Sequence, residues 1–217
     1  MSSFVALSIL CAASSGKKAG IATYERWLDT AHELHFMRNY HMLFALQNAF
    51  ATHPVDRLKA LSNGISKKHK AVKTTIDELF STEDRMRLFL RELALFKGRE
   101  PLIPCVFWLY QKATLLNETP LYLEDGHLNL GRINAAQNIF SDVQAMQRKR
   151  YPPLREEEQI LWYLLRLERA NFCTEDDLYL LSDAAKKEPR RFSLGFVPDV
   201  KKENLTSLAD FLKAAQK

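Results

Sequence analysis

The sequence predicts an all-α protein, an irregular multi-helix bundle from which one antiparallel helical hairpin protrudes. Three observations carry this. Apolar residues recur every three to four positions along most of the chain, the period of an amphipathic helix. Glycine and proline are scarce, at 7 and 8 of 217 residues, while Leu, Ala, Lys, Glu and Arg are plentiful. No stretch of four or more residues sustains the alternation of a half-buried strand.

The elements follow in order. Residues 2–13 are a short, very apolar helix, broken by Ser14-Ser15-Gly16-Lys17-Lys18. Residues 19–37 place Ile21, Tyr24, Trp27, Leu28, Ala31, Leu34 and His35 in an amphipathic repeat. Asn39 ends that helix or opens the next, and 41–51 is apolar again through Met42, Leu43, Leu46 and Phe50. After a Thr52-His53-Pro54 loop come a short helix near 55–61, a break at Ser62-Asn63-Gly64 and a charged helix over 66–80. Thr82, followed by Glu83 and Asp84, reads as an N-cap with acids at the positive dipole end, starting a helix to about Phe96.

Residues 102–148 predict the hairpin. Its first helix runs from about Leu102 to Glu118, with Pro104 in the first turn, where a missing N–H costs little, and Thr119-Pro120 as the stop. Its second starts at Asn129, a good N-cap, and carries Ile133, Ala136, Ile139, Phe140, Val143 and Met146 at helical spacing to about Arg148. The intervening link is short enough for the helices to fold back on each other. Ile103, Val106, Phe107, Trp108, Leu109 and Tyr110 are apolar nearly all round and so are expected to be buried. Gln111, Lys112, Thr114, Asn117 and Glu118 turn polar, which predicts a projecting tip. Beyond the hairpin, Tyr151-Pro152-Pro153 leads into a helix over 154–169. Thr174-Glu175-Asp176-Asp177 has the form of a capping box and opens a helix to about Lys187. Residues 192–203 read as loop, and 204–215 as a last amphipathic helix through Leu205, Leu208, Phe211 and Leu212.

Composition excludes several function classes. The net charge of +5 comes from interleaved acids and bases, a solvated mixed surface with no nucleic-acid face. Lys67-Lys68-His69-Lys70 and Arg148-Lys149-Arg150 read as solvated faces, with peripheral recruitment to an anionic membrane as the minority reading. Cys11, Cys105 and Cys173 are odd in number and far apart, which argues against a disulfide framework or zinc site and for free thiols in a reducing, cytoplasmic compartment. His32 and His35 are three apart on a helix without an evident third ligand, so no metal is expected. The first twenty residues lack the basic start of a signal peptide, though Ala12-Ala13-Ser14 is cleavage-like, and no apolar run approaches the ~20 residues of a membrane span. No Gly-rich phosphate loop, nucleophile elbow or apolar pair of carboxylates is present. No covalent chemistry and no cofactor are therefore expected.

Four groups of residues, in order over about residues 2–191, are similar to a known family. Arg38-Asn39-Tyr40-His41 with Ala45-Leu46 is similar to a family "N-N-F-N…A-I", and Pro54-Val55-Asp56-Arg57-Leu58 to "S-P-V-x-R-L". Pro101-Leu102-Ile103-Pro104, Glu118-Thr119-Pro120, Leu128-Asn129-Leu130 and Tyr151 resemble a hairpin segment, and Lys187-Glu188-Pro189-Arg190 a closing "I-E-P-R". Together they resemble the Cdc25-homology, or RasGEF, domain of exchange factors for Ras-type GTPases. The resemblance implies a module over residues 1–192 that lacks the family's first helices, with 193–217 a linker and amphipathic helix. It would leave Phe4, Leu7 and Leu10 exposed.

The resemblance implies a non-covalent catalyst. The hairpin would open the nucleotide site of a Ras-family small GTPase, release GDP and bind the nucleotide-free form best. Glu118 matches a family Glu at the tip, aimed at the phosphate and Mg²⁺ region. Thr114 stands where the family usually has a Leu that helps occlude the metal. Gln111, Thr114, Leu115 and Glu118 share a helix face by spacing, and Gln111, Leu115 and Asn117 are expected GTPase contacts. Asn39 matches an Asn at the GTPase-facing surface that braces the hairpin, and its other reading is a helix cap. The Tyr151 position is structural. Two alternatives stand beside exchange: a RasGEF-like adaptor that binds a GTPase or another protein without catalysing release, and a helical scaffold whose resemblance is accidental.

Overall fold

The computed structural model describes residues 1–153, 157, 158, 161, 162 and 174–186. The helices among them include α1 Ser2–Ser15, α2 Lys17–Phe36, α3 Tyr40–Ala51, α4 His53–Asp56, α5 Lys59–Gly64, α6 Lys67–Leu79, α7 Arg87–Phe96, α8 Val106–Glu118, α9 Leu130–Gln147 and α10 Glu175–Lys186. No strand forms among the described residues, which hold two isolated bridges, Asn39 with Ile103 and Tyr122 with Leu128. Of the expected helix over 154–169 only 157, 158, 161 and 162 are described, and the last three are helical. The expected 204–215 helix, the 192–203 loop, the 187–190 motif and Cys173 lie outside the described residues.

The chain divides into two compact units. The first comprises Met1–Trp27, Asn48–Lys70 and the described residues of Glu156–Lys217. Its centre is α1, apolar on every side, with Phe4, Val5, Ala6, Leu7, Ile9, Leu10 and Ala13 all buried. The expectation that Phe4, Leu7 and Leu10 would be exposed is corrected: they retain 9%, 3% and 0% exposure, because α4 and α10 pack on α1. A Cβ on Gly20 would lie 2.8 Å from Ala13 Cα, so only glycine lets α2 come this close to α1. The single short helix expected near 55–61 is two, α4 and α5, separated at Arg57 and Leu58. The backbone leaves the helical region at Leu58, whose ψ is 62°. Beside it, Arg57 donates to Ser182 Oγ at 2.6 Å, the Tyr179 carbonyl at 3.0 Å and Asp183 Oδ1 at 2.6 Å, tying the α4–α5 junction to α10. Thr174 caps α10 reciprocally with Asp177, as the capping-box pattern predicts.

The second unit comprises Leu28–Gln47 and the described residues of Ala71–Arg155. Its core is aromatic. Phe89, fully buried, sits edge-on to Tyr40 at 5.2 Å and to Trp108 at 5.9 Å, while Phe44 meets Phe80 and stacks on Phe107 at 5.3 Å. The helix expected to start at Thr82 starts at Arg87 instead. Arg85 and Met86 adopt left-handed φ of 51° and 55°, and Met86 N–H donates to the Ser81 carbonyl. Burial of the Met86 side chain outweighs the local capping signal of Thr82-Glu83-Asp84.

Candidate functional site

The hairpin is α8 and α9, packed on each other within the second unit. α8 starts at Val106, four residues later than the sequence predicts. Leu102–Cys105 is held extended because Ile103 N–H donates to the Arg38 carbonyl and Tyr40 N–H donates to the Ile103 carbonyl. Pro104 therefore precedes the helix and does not fill its first turn. α9 begins as predicted: Asn129 Oδ1 accepts the Arg132 N–H at 3.1 Å.

The expectation that the first half of α8 is buried all round is corrected. Trp108 is buried, but Ile103, Val106, Phe107 and Tyr110 are 39%, 50%, 42% and 68% exposed. A projecting helix has neighbours on one side only, and here Trp108 takes that side. On α9 Met146 is buried while Phe140 is 70% exposed. Exposed large apolar side chains on one hairpin are the kind of surface that interaction sites use.

At the tip, α8 and α9 are joined by a tight turn. Leu123 N–H donates to the His127 carbonyl, Gly126 N–H to the Leu123 carbonyl and Asn129 N–H to the Leu121 carbonyl. Gly126 has a φ of +83°, a conformation glycine takes without strain. Asn129 Nδ2 donates to the Pro120 carbonyl at 3.0 Å, and Arg132 Nη1 donates to the Thr119 carbonyl at 2.7 Å, capping the end of α8 from the start of α9. Five of the six sequence-predicted site residues lie on the last two turns of α8. Gln111, Leu115, Asn117 and Glu118 are exposed. Thr114 is half-buried, its hydroxyl donating to the Tyr110 carbonyl of its own helix at 3.0 Å. Glu118 is the final residue of α8 and has no hydrogen-bond or ion-pair partner among the described residues.

Asn39 is not part of that group. It caps α3, with Oδ1 accepting the Met42 N–H at 3.1 Å, and pairs through its backbone neighbours with Ile103. The length of α8 separates it from Glu118, roughly 20 Å at 1.5 Å per residue. It belongs to the hairpin base, with Arg38 over the Phe96 ring at 4.3 Å and the Tyr151 hydroxyl donating to the Met37 carbonyl.

The base holds a cluster that sequence reading missed. Tyr40 OH donates to Glu92 Oε2 at 2.8 Å, and His35 Nε2 lies 3.0 Å from the same oxygen. Burial alone would push the Glu92 carboxyl up, but the hydrogen bonds from His35 and Tyr40 outweigh it and hold it below the usual range. Burial, then the neighbouring Glu92, pushes the Tyr40 hydroxyl far above its ordinary value. His35 is thus a structural partner of Glu92. Burial likewise raises the Cys105 thiol. Among the described residues no three His, Cys, Asp or Glu side chains gather as a metal site, and no helix is long and apolar enough to cross a membrane.

Exposed polar and apolar side chains thus gather on the last turns of α8, on a hairpin tied through its backbone. The chain was also compared with known proteins. The RasGEF domain family model matches residues 1–134. The chain is 28% identical over 191 residues to Ras-specific guanine nucleotide-releasing factor 2 of Rattus norvegicus, covering 88% of this chain and 15% of that protein. It is 26% identical over 162 residues to Ras-specific guanine nucleotide-releasing factor 1 of Homo sapiens, covering 74% and 12%. To RAS guanyl-releasing protein 1 of Xenopus laevis it is 28% identical over 196 residues, covering 88% and 23%. The chain thus spans less than a quarter of the length of these relatives.

Proposed function

The chain belongs to the RasGEF domain family, and from that premise we propose that it is a guanine nucleotide exchange module that opens the nucleotide site of a Ras-type small GTPase and releases GDP. The observation that carries this is the exposed Glu118 carboxylate, without a partner among the described residues, at the end of a projecting helix. Residues 1–192 are the proposed module.

The energetics explain why no covalent chemistry is needed. A GTPase holding nucleotide near picomolar affinity binds it by about −16 kcal/mol, much of it through Mg²⁺ and the phosphate cradle. By linkage, a protein that weakens nucleotide binding must itself bind the nucleotide-free GTPase better. A thousandfold faster release needs only ~4 kcal/mol of preference for the opened state. In this proposal Gln111, Leu115, Asn117 and the aliphatic part of Thr114 contact the GTPase. Glu118 repels the phosphate oxygens and competes for the groups that hold them. Asn39 acts from the base by keeping the segment before α8 in place. Exposed Lys67, Lys68 and Lys70 suit peripheral recruitment to an anionic membrane, testable by sedimentation with phosphatidylserine vesicles.

The test is release of fluorescent GDP from a set of Ras-type GTPases with and without this chain. Acceleration of at least one supports exchange. Capture of nucleotide-free GTPase without acceleration would replace exchange by the adaptor reading, and no binding at all would remove the GTPase.

A further inference from the structure

The hairpin's angle depends on more than its apolar base. Asp142, in the middle of α9, is the point where three elements meet. Its Oδ1 accepts from Lys97 Nζ at the end of α7, and its Oδ2 lies 3.5 Å from Lys112 Nζ of α8. Lys112 Nζ in turn sits 4.3 Å from the centre of the Trp108 ring, and Trp108 packs edge-on against the fully buried Phe89. The carboxylate is 22% exposed, its two lysines 33% and 39%. Gly98, next to Lys97, brings the same corner close to the α9 backbone: a Cβ there would lie 3.7 Å from the Ala145 carbonyl oxygen.

We propose that Asp142 is a positioning residue for nucleotide exchange, a single carboxylate that sets the angle at which α8 and α9 leave the body of their unit. The inference rests on the exchange reading above. One anion holds two cations from different helices, so its loss removes both attractions and leaves Lys97 and Lys112 near each other as like charges. A charge-assisted bond between partly shielded groups is strong enough to fix geometry, unlike an exposed pair. Asp142 touches neither the tip nor Glu118, so its effect on catalysis passes through the hairpin's pose alone. An error of an ångström at the base grows along α8 towards the tip, where orientation governs rate.

The experiment compares the parent chain with Asp142→Asn and Asp142→Glu on two readouts. In GDP release at increasing concentrations of this protein, Asp142→Asn is expected to lower the saturating rate about tenfold and leave the half-saturating concentration within about twofold, and Asp142→Glu to recover most of the loss. In amide hydrogen exchange of the free protein, α8 and α9 are expected to lose protection in Asp142→Asn while α1 keeps its own. Parental protection of α8 and α9 in Asp142→Asn overturns the proposal whatever the rates, and so does lost protection with an unchanged saturating rate. If the parent chain accelerates no GTPase, the exchange reading falls while the hold of Asp142 on α8 and α9 is still judged by hydrogen exchange. If Asp142→Asn does not fold, Lys97→Met removes one cation and is read the same way.

Discussion

The base and the tip of the hairpin are built on opposite principles. At the base, polar groups are matched to one another: Glu92 takes Tyr40 and His35, the Met37 carbonyl takes Tyr151, and the Arg38 and Tyr40 backbone takes Ile103. Fully buried Phe89 and Tyr40 fill the space between them. At the tip, the backbone is tied by Asn129 and Arg132 while the side chains stay open, with Leu115 and Leu130 each 66% exposed and Glu118 unpartnered among the described residues. The exchange proposal calls for this division: a root that resists load through buried, mutually satisfied contacts, and an end that keeps its contact energy for a partner. Stability and activity should therefore separate along the hairpin, and substitutions ordered from base to tip measure how cleanly.

The largest effect is expected at Phe89. Phe89→Ala removes the ring that contacts Tyr40, Phe80 and Trp108, and should cost about 3–5 kcal/mol in urea unfolding. A loss below ~1 kcal/mol would mean the aromatic cluster does not anchor α8.

Next comes Glu92→Gln, expected to cost roughly 1–3 kcal/mol near neutral pH. Its signature is in the pH dependence. The Glu92 pKa is lowered in the folded state, so its contribution is fully present above the unfolded carboxylate value of about 4.3. It is lost as pH falls through the lower folded value. The stability curve of the parent should drop across that acid window, and that of Glu92→Gln should drop less. Parallel curves would show that the ionised carboxylate is not what Tyr40 and His35 hold.

How far a residue's partners lie along the chain decided what was legible in the sequence. Asn129 and Thr174 were readable as caps because a cap is a contact within a few residues. The Arg57 motif was visible as a motif, but its partners on α10 are more than a hundred positions away, so its role was not. The same distance hid Glu92, whose partners are 52 and 57 positions away, and Asp142, 45 positions from Lys97. Thr82 misled because a local start signal competed with burial of Met86. Val106 and Tyr110 misled for a different reason: apolar composition says a residue would gain from burial, and says nothing of whether a neighbour is there.

Asn129→Ala stands between base and tip. It removes the α9 N-cap and the tie to the Pro120 carbonyl together, and should cost about 0.5–2 kcal/mol in urea unfolding. Faster amide exchange should be confined to the start of α9 and the turn before it. Spread of the loss into α7 would mean that tip and base are one cooperative piece.

The smallest effect on stability and the sharpest test of the comparison is Glu118→Ala. A carboxylate on the last residue of a helix faces the negative end of the dipole, an arrangement that disfavours it by about 0.3–1 kcal/mol where exposed. Its removal should leave stability unchanged or slightly raised in thermal unfolding, while GDP release slows by roughly ten- to a hundredfold if the carboxylate acts on the phosphate region. Such a result would fit the proposal that the Glu118 carboxylate serves a partner and not the fold. Equal release rates for Glu118→Ala and its parent would take that residue out of the mechanism and move the burden to the exposed apolar side chains around it, with Leu115→Ala the next substitution to measure.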